Sequence, residues 1–333
     1  MAYNLLTLVH KNTNNMKTLK LHFIKKSALV AVLLAGSILT ACKKDRPAPQ
    51  QNTIADIVVS SSDFSLLEAA VVHANLAETL SGTGPFTVFA PNNAAFVAAG
   101  LDTEAKIKAL PVETVRSILL YHVVGQAVAS SSITSANNTA VRTAGNADIF
   151  VTRKAAGVFV NGATVLSADN LASNGVIHVI NTVLMPPSGN IVQTAQANAN
   201  FTYLVAAVLR ASTGSTNVAS VLSGNGPLTV FAPTNQAFIN AGFPTIASIQ
   251  AADPAALTKI LTYHVVAGRV LSSDLTEGLT PTTVNGTNLT ITLAGGAKVK
   301  GTNNATASNI SSANLITTNG VIHVIDQVLL PNN

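Results

Sequence analysis

The chain has 333 residues, with nineteen Lys and Arg against fourteen Asp and Glu. Five of the basic residues, Lys11, Lys17, Lys20, Lys25 and Lys26, precede Cys42 and no acidic residue does, so residues 42–333 carry fourteen charges of each sign. That balance offers no clustered basic face, so no nucleic acid is expected as a partner. A charged fraction of 10% also excludes disorder driven by net charge.

In chain order, the first element is a leader. Met16 is a better start than Met1, because the polar stretch Lys11–Asn15 is unusual ahead of a positive n-region. Lys17, Lys20, Lys25 and Lys26 form that n-region, and Ala28–Leu39 is an apolar run too short to span a bilayer comfortably. The segment closes on Leu39-Thr40-Ala41-Cys42, which resembles the bacterial lipobox, and Cys42 is the single cysteine of the chain. Residues 1–41 are therefore expected to be a lipoprotein signal peptide. Cys42 would be the lipidated mature N-terminus, held to a membrane by several acyl chains. With no second cysteine there is no disulfide within the chain, and the fold must stand on its core. Residues 42–51 read as a charged, proline-containing tether. An outer-membrane lipoprotein is expected, with surface exposure as the further step of that reading.

The 292 residues from Cys42 onward suffice for two domains with their own cores. They are in fact one unit written twice. Thr87–Phe96 (TVFAPNNAAF) recurs as Thr229–Phe238 (TVFAPTNQAF) at an offset of 142, and Tyr121-His122-Val123-Val124 recurs as Tyr263-His264-Val265-Val266 at the same offset. Asn174–Ile180 (NGVIHVI) recurs as Asn319–Ile325 at an offset of 145. The period is far longer than a solenoid repeat, so residues 52–187 and 191–333 are two whole domains joined through 188–190.

Each copy begins with helical spacing: Phe64, Leu67, Val71 and Ala74, then Phe201, Leu204, Val208 and Ala211. Asp63 is placed to cap the first of these helices, over Phe64–Asn75. The turns Ser81–Pro85 and Ser223–Pro227 feed a short strand, Phe86–Ala90 in the first copy, and Asn92 or Asn93 can cap the helix carrying Phe96. A further helix around Val112–Leu119 leads into a strand that holds Tyr121-His122. The last third alternates with a period of two, with turn dipeptides at Asn161-Gly162, Asn285-Gly286 and Gly295-Gly296. Its final strand, Val176–Ile180, sets Val176, His178 and Ile180 on one face. Helices early and strands late predict α+β domains, each a largely antiparallel sheet system covered by helices.

The three repeated blocks resemble the fasciclin (FAS1) domain family. They match its TVFAPT-N-x-AF and NGVIHVID-x-VLLP signatures and the Tyr-His pair between them, twice and in order. Asn92 and Asn181 depart from the usual Thr and Asp. The resemblance implies two tandem domains, each a wedge-shaped β-sandwich flanked by helices, and roles in adhesion or matrix binding. It implies no catalytic centre common to the family. Thr87, Phe89, Pro91, Asn93, Phe96, Gly175 and His178, with Thr229, Phe231, Pro233, Asn235, Phe238, Gly320 and His323, are its structural motif residues. In animal members the Tyr-His region is linked to integrin binding. Tyr121, His122, Tyr263 and His264 are accordingly the candidate ligand contacts, by position and without that partner.

The remaining chemistry is weak. The glycines at 82, 84, 224 and 226 precede Pro85 and Pro227 and a strand, whereas a phosphate cradle needs a helix after it. His122 with His178, and His264 with His323, repeat as pairs, but zinc needs a third protein ligand and no carboxylate or thiol repeats beside both. Each lies in an apolar run that suits an imidazole bonded to backbone; ligand contact and acid–base or metal work are the alternatives. Tyr121 and Tyr263 divide in the same way between a packed ring with a bonded hydroxyl and an interface contact. The segments Ser130–Thr139 and Thr302–Thr318 read as solvated loops. No catalytic residue, metal or cofactor is expected. The function expected is a membrane-anchored, non-catalytic surface adhesion module for a protein or polysaccharide, with avidity from two copies. A periplasm-facing scaffold is the alternative, and a polysaccharide-acting enzyme is less favoured because paired carboxylates do not repeat.

Overall fold

The computed structural model describes residues 51–135 and 138–332, which fall in one compact unit. The leader, Cys42 and the tether up to Gln50 lie outside the described residues. Among the described residues no helix is long and apolar enough to cross a membrane.

In the first domain, helices α1 (Ile54–Ser60), α2 (Ser65–His73) and α3 (Ala77–Ser81) precede strand β1 (Phe86–Pro91). Helices α4 (Asn93–Ala98), α5 (Glu104–Lys108) and α6 (Val112–Tyr121) follow, then the short strand β2 (Val123–Val124). Strands β3 (Thr139–Arg142), β4 (Asp148–Lys154), β5 (Gly157–Val160), β6 (Ala163–Ala172) and β7 (Gly175–Ile180) complete it. The second domain repeats the plan with α7 (Ile191–Gln196), α8 (Thr202–Ala211), α9 (Val218–Ser223) and β8 (Leu228–Pro233). Next come α10 (Asn235–Asn240), α11 (Ile246–Ala251), α12 (Pro254–Tyr263) and β9 (Val265–Ala267). Last are β10 (Thr290–Thr292), β11 (Lys298–Lys300), β12 (Ser308–Thr317) and β13 (Gly320–Ile325).

Local chemistry explains several helix starts. Thr53 and Asp56 form a capping box on α1, and Asn92 accepts the Ala95 N–H at 2.9 Å at the start of α4. Asp63 does not cap α2 as expected. Residues 62–64 form a 3-10 turn, and no side chain next to α2 caps it. The Leu66 N–H donates instead to Asn93 Oδ1 at 3.1 Å, from the neighbouring α4. The second domain repeats this long-range cap, with the Tyr203 N–H on Asn235 Oδ1 at 3.0 Å.

The strands form one seven-stranded sheet, β2-β1-β7-β6-β5-β4-β3, in the first domain and a six-stranded sheet, β10-β11-β12-β13-β8-β9, in the second. All pairings are antiparallel except β1 with β7 and β8 with β13. Strand β6 shifts register twice against β7, between Val165 and Asn170, and β12 does the same between Ile310 and Leu315. Such bulges bend a sheet, and here the sheet curls on itself. The expected sandwich is therefore made from two halves of one sheet.

Alternation along β1 divides the core. Val88 and Ala90 face the helices with Leu67, Val71 and Leu119, while Phe89 faces the opposite half of the sheet with Ile149, Val151, Val160 and Ile180. Asn161-Gly162 makes the tight turn between β5 and β6, with both residues left-handed at φ +49° and +80°. Two expectations are corrected. Tyr121 ends helix α6 with His122 as its C-cap, so the strand begins only at Val123. Most of Thr302–Thr318 is strand β12 rather than loop: Asn309, Ser311 and Ser312 lie exposed on a paired strand, while Ser308 and Thr317 are buried.

Candidate functional site

Burial decides the fate of the Tyr-His pairs. Tyr121 and Tyr263 are 0% exposed, and His122 and His264 are 2% exposed. The expectation that these four side chains touch an external ligand is corrected, because each is enclosed and bonded within its own domain. The Tyr121 hydroxyl donates to the Asp148 carbonyl at 2.9 Å and accepts from Asn161 Nδ2 at 3.0 Å. Burial pushes its phenol up to about 12. The Tyr263 hydroxyl donates to the Asn288 carbonyl at 2.7 Å and accepts from the Thr302 N–H at 2.9 Å. Replacing Tyr263 by Phe leaves the Asn288 carbonyl and the Thr302 N–H, both in part-buried bonds, without this partner. It should destabilise the second domain by about 1–3 kcal/mol. An unchanged melting temperature in Tyr263→Phe would refute this assignment.

The four histidines are braces. The Leu184 N–H donates to His122 Nε2 at 2.9 Å, so Nδ1 carries the proton and donates to the Ile118 carbonyl at 2.7 Å. His264 does the same between the Leu329 N–H and the Ile260 carbonyl, both at 2.8 Å. Burial depresses both imidazoles to about 4, which keeps them neutral. His178 and His323 take the opposite tautomer. Nε2 donates to the Val128 or Val270 carbonyl at 2.8 Å, and Nδ1 accepts the N–H of Asp169 at 3.2 Å or Asn314 at 3.4 Å, at the strand bulge. His178 lies against the Phe89 ring and His323 against the Phe231 ring, at centroid distances of 5.3 and 5.5 Å.

The other motif residues are likewise engaged internally. Thr87 Oγ1 donates to the Gln126 carbonyl and accepts the Val128 N–H, and Thr229 repeats this with Gly268 and Val270. Asn174 accepts the first N–H of α1 and donates to the Leu80 and Gly82 carbonyls; Asn319 repeats it on Ile191, Leu222 and Gly224. Phe96 and Phe238 are buried beneath α4 and α10, and Pro91 and Pro233 end the strands ahead of them. The motifs thus build a scaffold, and a binding surface must come from elsewhere.

The two domains meet in a junction that sequence reasoning missed. The Arg269 guanidinium lies 3.6 Å over the Phe150 ring, a cation–π contact. Phe150 also clusters with Leu271, Ile316 and Val321 of the second domain. Asp274 accepts from Lys154 Nζ at 2.7 Å and Asn138 Nδ2 at 2.8 Å, across the junction, and from its own Leu271 N–H at 2.8 Å. The copies themselves held the signal. Tyr121 bonds Asp148 where Tyr263 bonds Asn288, which aligns Phe150 with Thr290, exposed on its strand. A large aromatic at an outward strand position announces a covered face. Asp274→Ala should remove about 1–3 kcal/mol from the junction. In calorimetry the domains should then melt further apart; a superimposable trace would contradict a joint held by Asp274.

Beside this joint runs a groove of about 440 Å³ shared by both domains. Its walls include Asn161, Asn181 and Thr182 from one domain and Ser272, Ser312 and Asn314 from the other, and no lining residue is ionisable. Asn161 and Asn314 are committed to structural bonds, on Tyr121 and Phe150 in one case and Ser272 in the other. Asn181, Thr182 and Ser312 are exposed on its walls, with the half-exposed Met185. Such a lining can hold a neutral, hydrogen-bonding ligand and supplies no proton donor or acceptor tuned for acid–base work. Among the described residues no group of three His, Cys, Asp or Glu side chains is placed to hold a metal ion.

Comparison with known proteins agrees with this architecture. The chain is 30% identical over 257 residues to transforming growth factor-beta-induced protein ig-h3 of Sus scrofa, covering 76% of this chain and 36% of that protein. It is 44% identical over 136 residues to protein sll1483 of Synechocystis, covering 40% of this chain and 74% of that one. The chain therefore spans about a third of the length of the pig protein. A solved FAS1 domain pair from the insect cell adhesion molecule fasciclin I is similar at 19% identity and a TM-score of 0.39, over 80% of this chain and 95% of that one. The Fasciclin domain profile matches twice, at residues 62–186 and 199–331, and the chain belongs to the fasciclin domain family, with two such domains in tandem.

Proposed function

We propose that this chain is a membrane-anchored, non-catalytic binding module of a bacterial cell surface, tethered through a lipid on Cys42. It recognises a neutral polysaccharide or a protein through surfaces that its two fasciclin domains share. The observation that carries this reading is the division of labour within each domain. Its repeated His, Tyr, Thr and Asn residues are engaged in internal bonds, while the groove between domains is lined by uncharged hydrogen-bonding groups. Two domains joined through Asp274 and Arg269 present that groove in a fixed shape, which lowers the ordering cost of binding.

The test has two stages. Intact cells expressing the protein are shaved with protease, and the 191–332 region is followed by antibody with a periplasmic protein as control. Loss of signal with the control spared supports surface exposure; protection until the outer membrane is breached removes it. The purified protein is then applied to immobilised neutral polysaccharides and matrix proteins, alongside Ser312→Arg. Binding that falls at least tenfold in Ser312→Arg with an unchanged melting temperature supports recognition at the groove. Binding that is indifferent to the substitution places recognition elsewhere.

A further inference from the structure

The second domain holds an apolar cavity of about 90 Å³ between helices α7, α8 and α9 and the helix-facing side of β8 and β13. Ile191, Ala195, Val205, Val208, Leu222 and Ile322 are among its walls. The two polar side chains that reach it have no free role inside. Gln196 is exposed at the rim, and both ring nitrogens of His264 are bonded to backbone. Leu209 on α8 also borders the space and is 57% exposed, so the cavity opens to solvent past an apolar side chain. A space so lined gives water no partners and stays dry.

The first domain is an internal control for what this space requires. Ile54 and Ile191 are equivalent, since each opens its helix and donates its N–H to Asn174 or Asn319. Four residues on, Val58 of the first domain matches Ala195 of the second. Phe64 and Phe201 occupy the same place ahead of α2 and α8, so Glu68 matches Val205. Phe86 and Leu228 pair with the equivalent glycines 175 and 320, so a phenyl ring matches a smaller side chain. The corresponding space in the first domain measures about 60 Å³, with Val58 and Phe86 among its walls. Relative to its twin, the second domain has removed bulk inside the space and replaced an ionisable side chain at α8 by valine. For stability alone the loss of bulk runs the wrong way, because an empty apolar cavity forfeits dispersion contacts.

We propose that this cavity is a binding site for the unbranched alkyl tail of a single-chain amphiphile, which enters past Leu209 and leaves its head group outside. At about 90 Å³ the space is smaller than the engineered cavity of about 150 Å³ that takes up benzene, so only the narrow end of such a tail enters it. The absence of an ionisable side chain with a free polar atom among the walls makes the tail, not the head, the recognised part. The first domain, with Val58, Phe86 and Glu68, takes no tail.

The test is calorimetric titration of the full chain with decanoate and with decyltrimethylammonium, each below its micellar concentration. One saturable site per chain is expected for both head groups. In Ala195→Val combined with Val205→Glu, which restores the first domain's residues, the affinity should fall at least tenfold. Ala195→Val alone should melt no lower than wild type, since it fills the space. Leu209→Lys at the exposed rim gives a variant that leaves the core untouched and should also weaken binding. No saturable binding, two equivalent sites, binding of only one head group, or affinity unaffected by these substitutions would each overturn the proposal.

Discussion

Gly320→Ala should cost the second domain about 4 kcal/mol or more, enough to leave it largely unfolded at room temperature. Gly320 opens β13 directly beside β8, and a Cβ built there lies 2.0 Å from the Leu228 carbonyl oxygen. Both atoms belong to backbone held in the only parallel pairing of that sheet, so neither strand can retreat without breaking the ladder. Gly175→Ala meets the same obstacle in the first domain, 2.1 Å from the Phe86 oxygen. Gly125→Ala is the matched control, since nothing lies within 4 Å of its Cβ position, and its effect should stay within about 0.5 kcal/mol. Urea titrations of the three variants check this. A loss below about 1 kcal/mol in Gly320→Ala would mean that the β8–β13 register is not the one described.

Stability should fall steeply as pH drops from about 6.5 to about 4. His122 and His264 are fully enclosed, and burial depresses each to about 4, against about 6.5 for the unfolded chain. Below pH 6.5 the unfolded chain therefore binds protons that the folded chain does not. The stabilising contribution is complete above that pH and is lost as pH falls toward the folded value. Each histidine adds a slope of about 1.4 kcal/mol per pH unit and a total on the order of 3 kcal/mol across the window. Burial also lowers His323, which acts in the same direction in the second domain. Unfolding free energies at pH 7.0, 5.5 and 4.5 measure this directly. His264→Gln should start less stable yet show a shallower slope for its domain; a flat profile in the wild type would show that the imidazoles are already protonated or reachable by water.

Much of the architecture was legible because it is carried by local spacing. The Phe64, Leu67, Val71, Ala74 series needs only the helical period to be read, and Asn92 needs only to stand before a helix to cap it. The left-handed Asn161-Gly162 turn is equally local. Asp63 misled for the complementary reason. Its position ahead of α2 is a good capping position, but Asn93, 27 residues from Leu66, reaches that N–H first. The Tyr-His pair reads from the sequence either as an internal brace or as a contact, and the fold decides for the brace, because Asp148, Asn161, Ile118 and Leu184 take its hydrogen bonds.

From the sequence alone came the two-fold repetition, the helix-then-strand order of each copy, the balance of charge beyond Cys42 and the motif residues that mark the family. These are properties of composition and of neighbours in the chain, and they survive without any knowledge of distant contacts. Only the tertiary structure decided what the motif residues do, which faces of the two copies meet, and where space is left open. Those outcomes depend on distant partners, such as Tyr121 with Asn161, 40 positions apart, or Asn138 with Asp274, 136 apart. The two copies look alike in sequence and differ in use, because Phe150 is covered where Thr290 is exposed and the space beside Ala195 is about 90 Å³ where that beside Val58 is about 60 Å³. Burial is a property of the assembled fold, and two methyl groups or one ring change it without disturbing the pattern that specifies the fold.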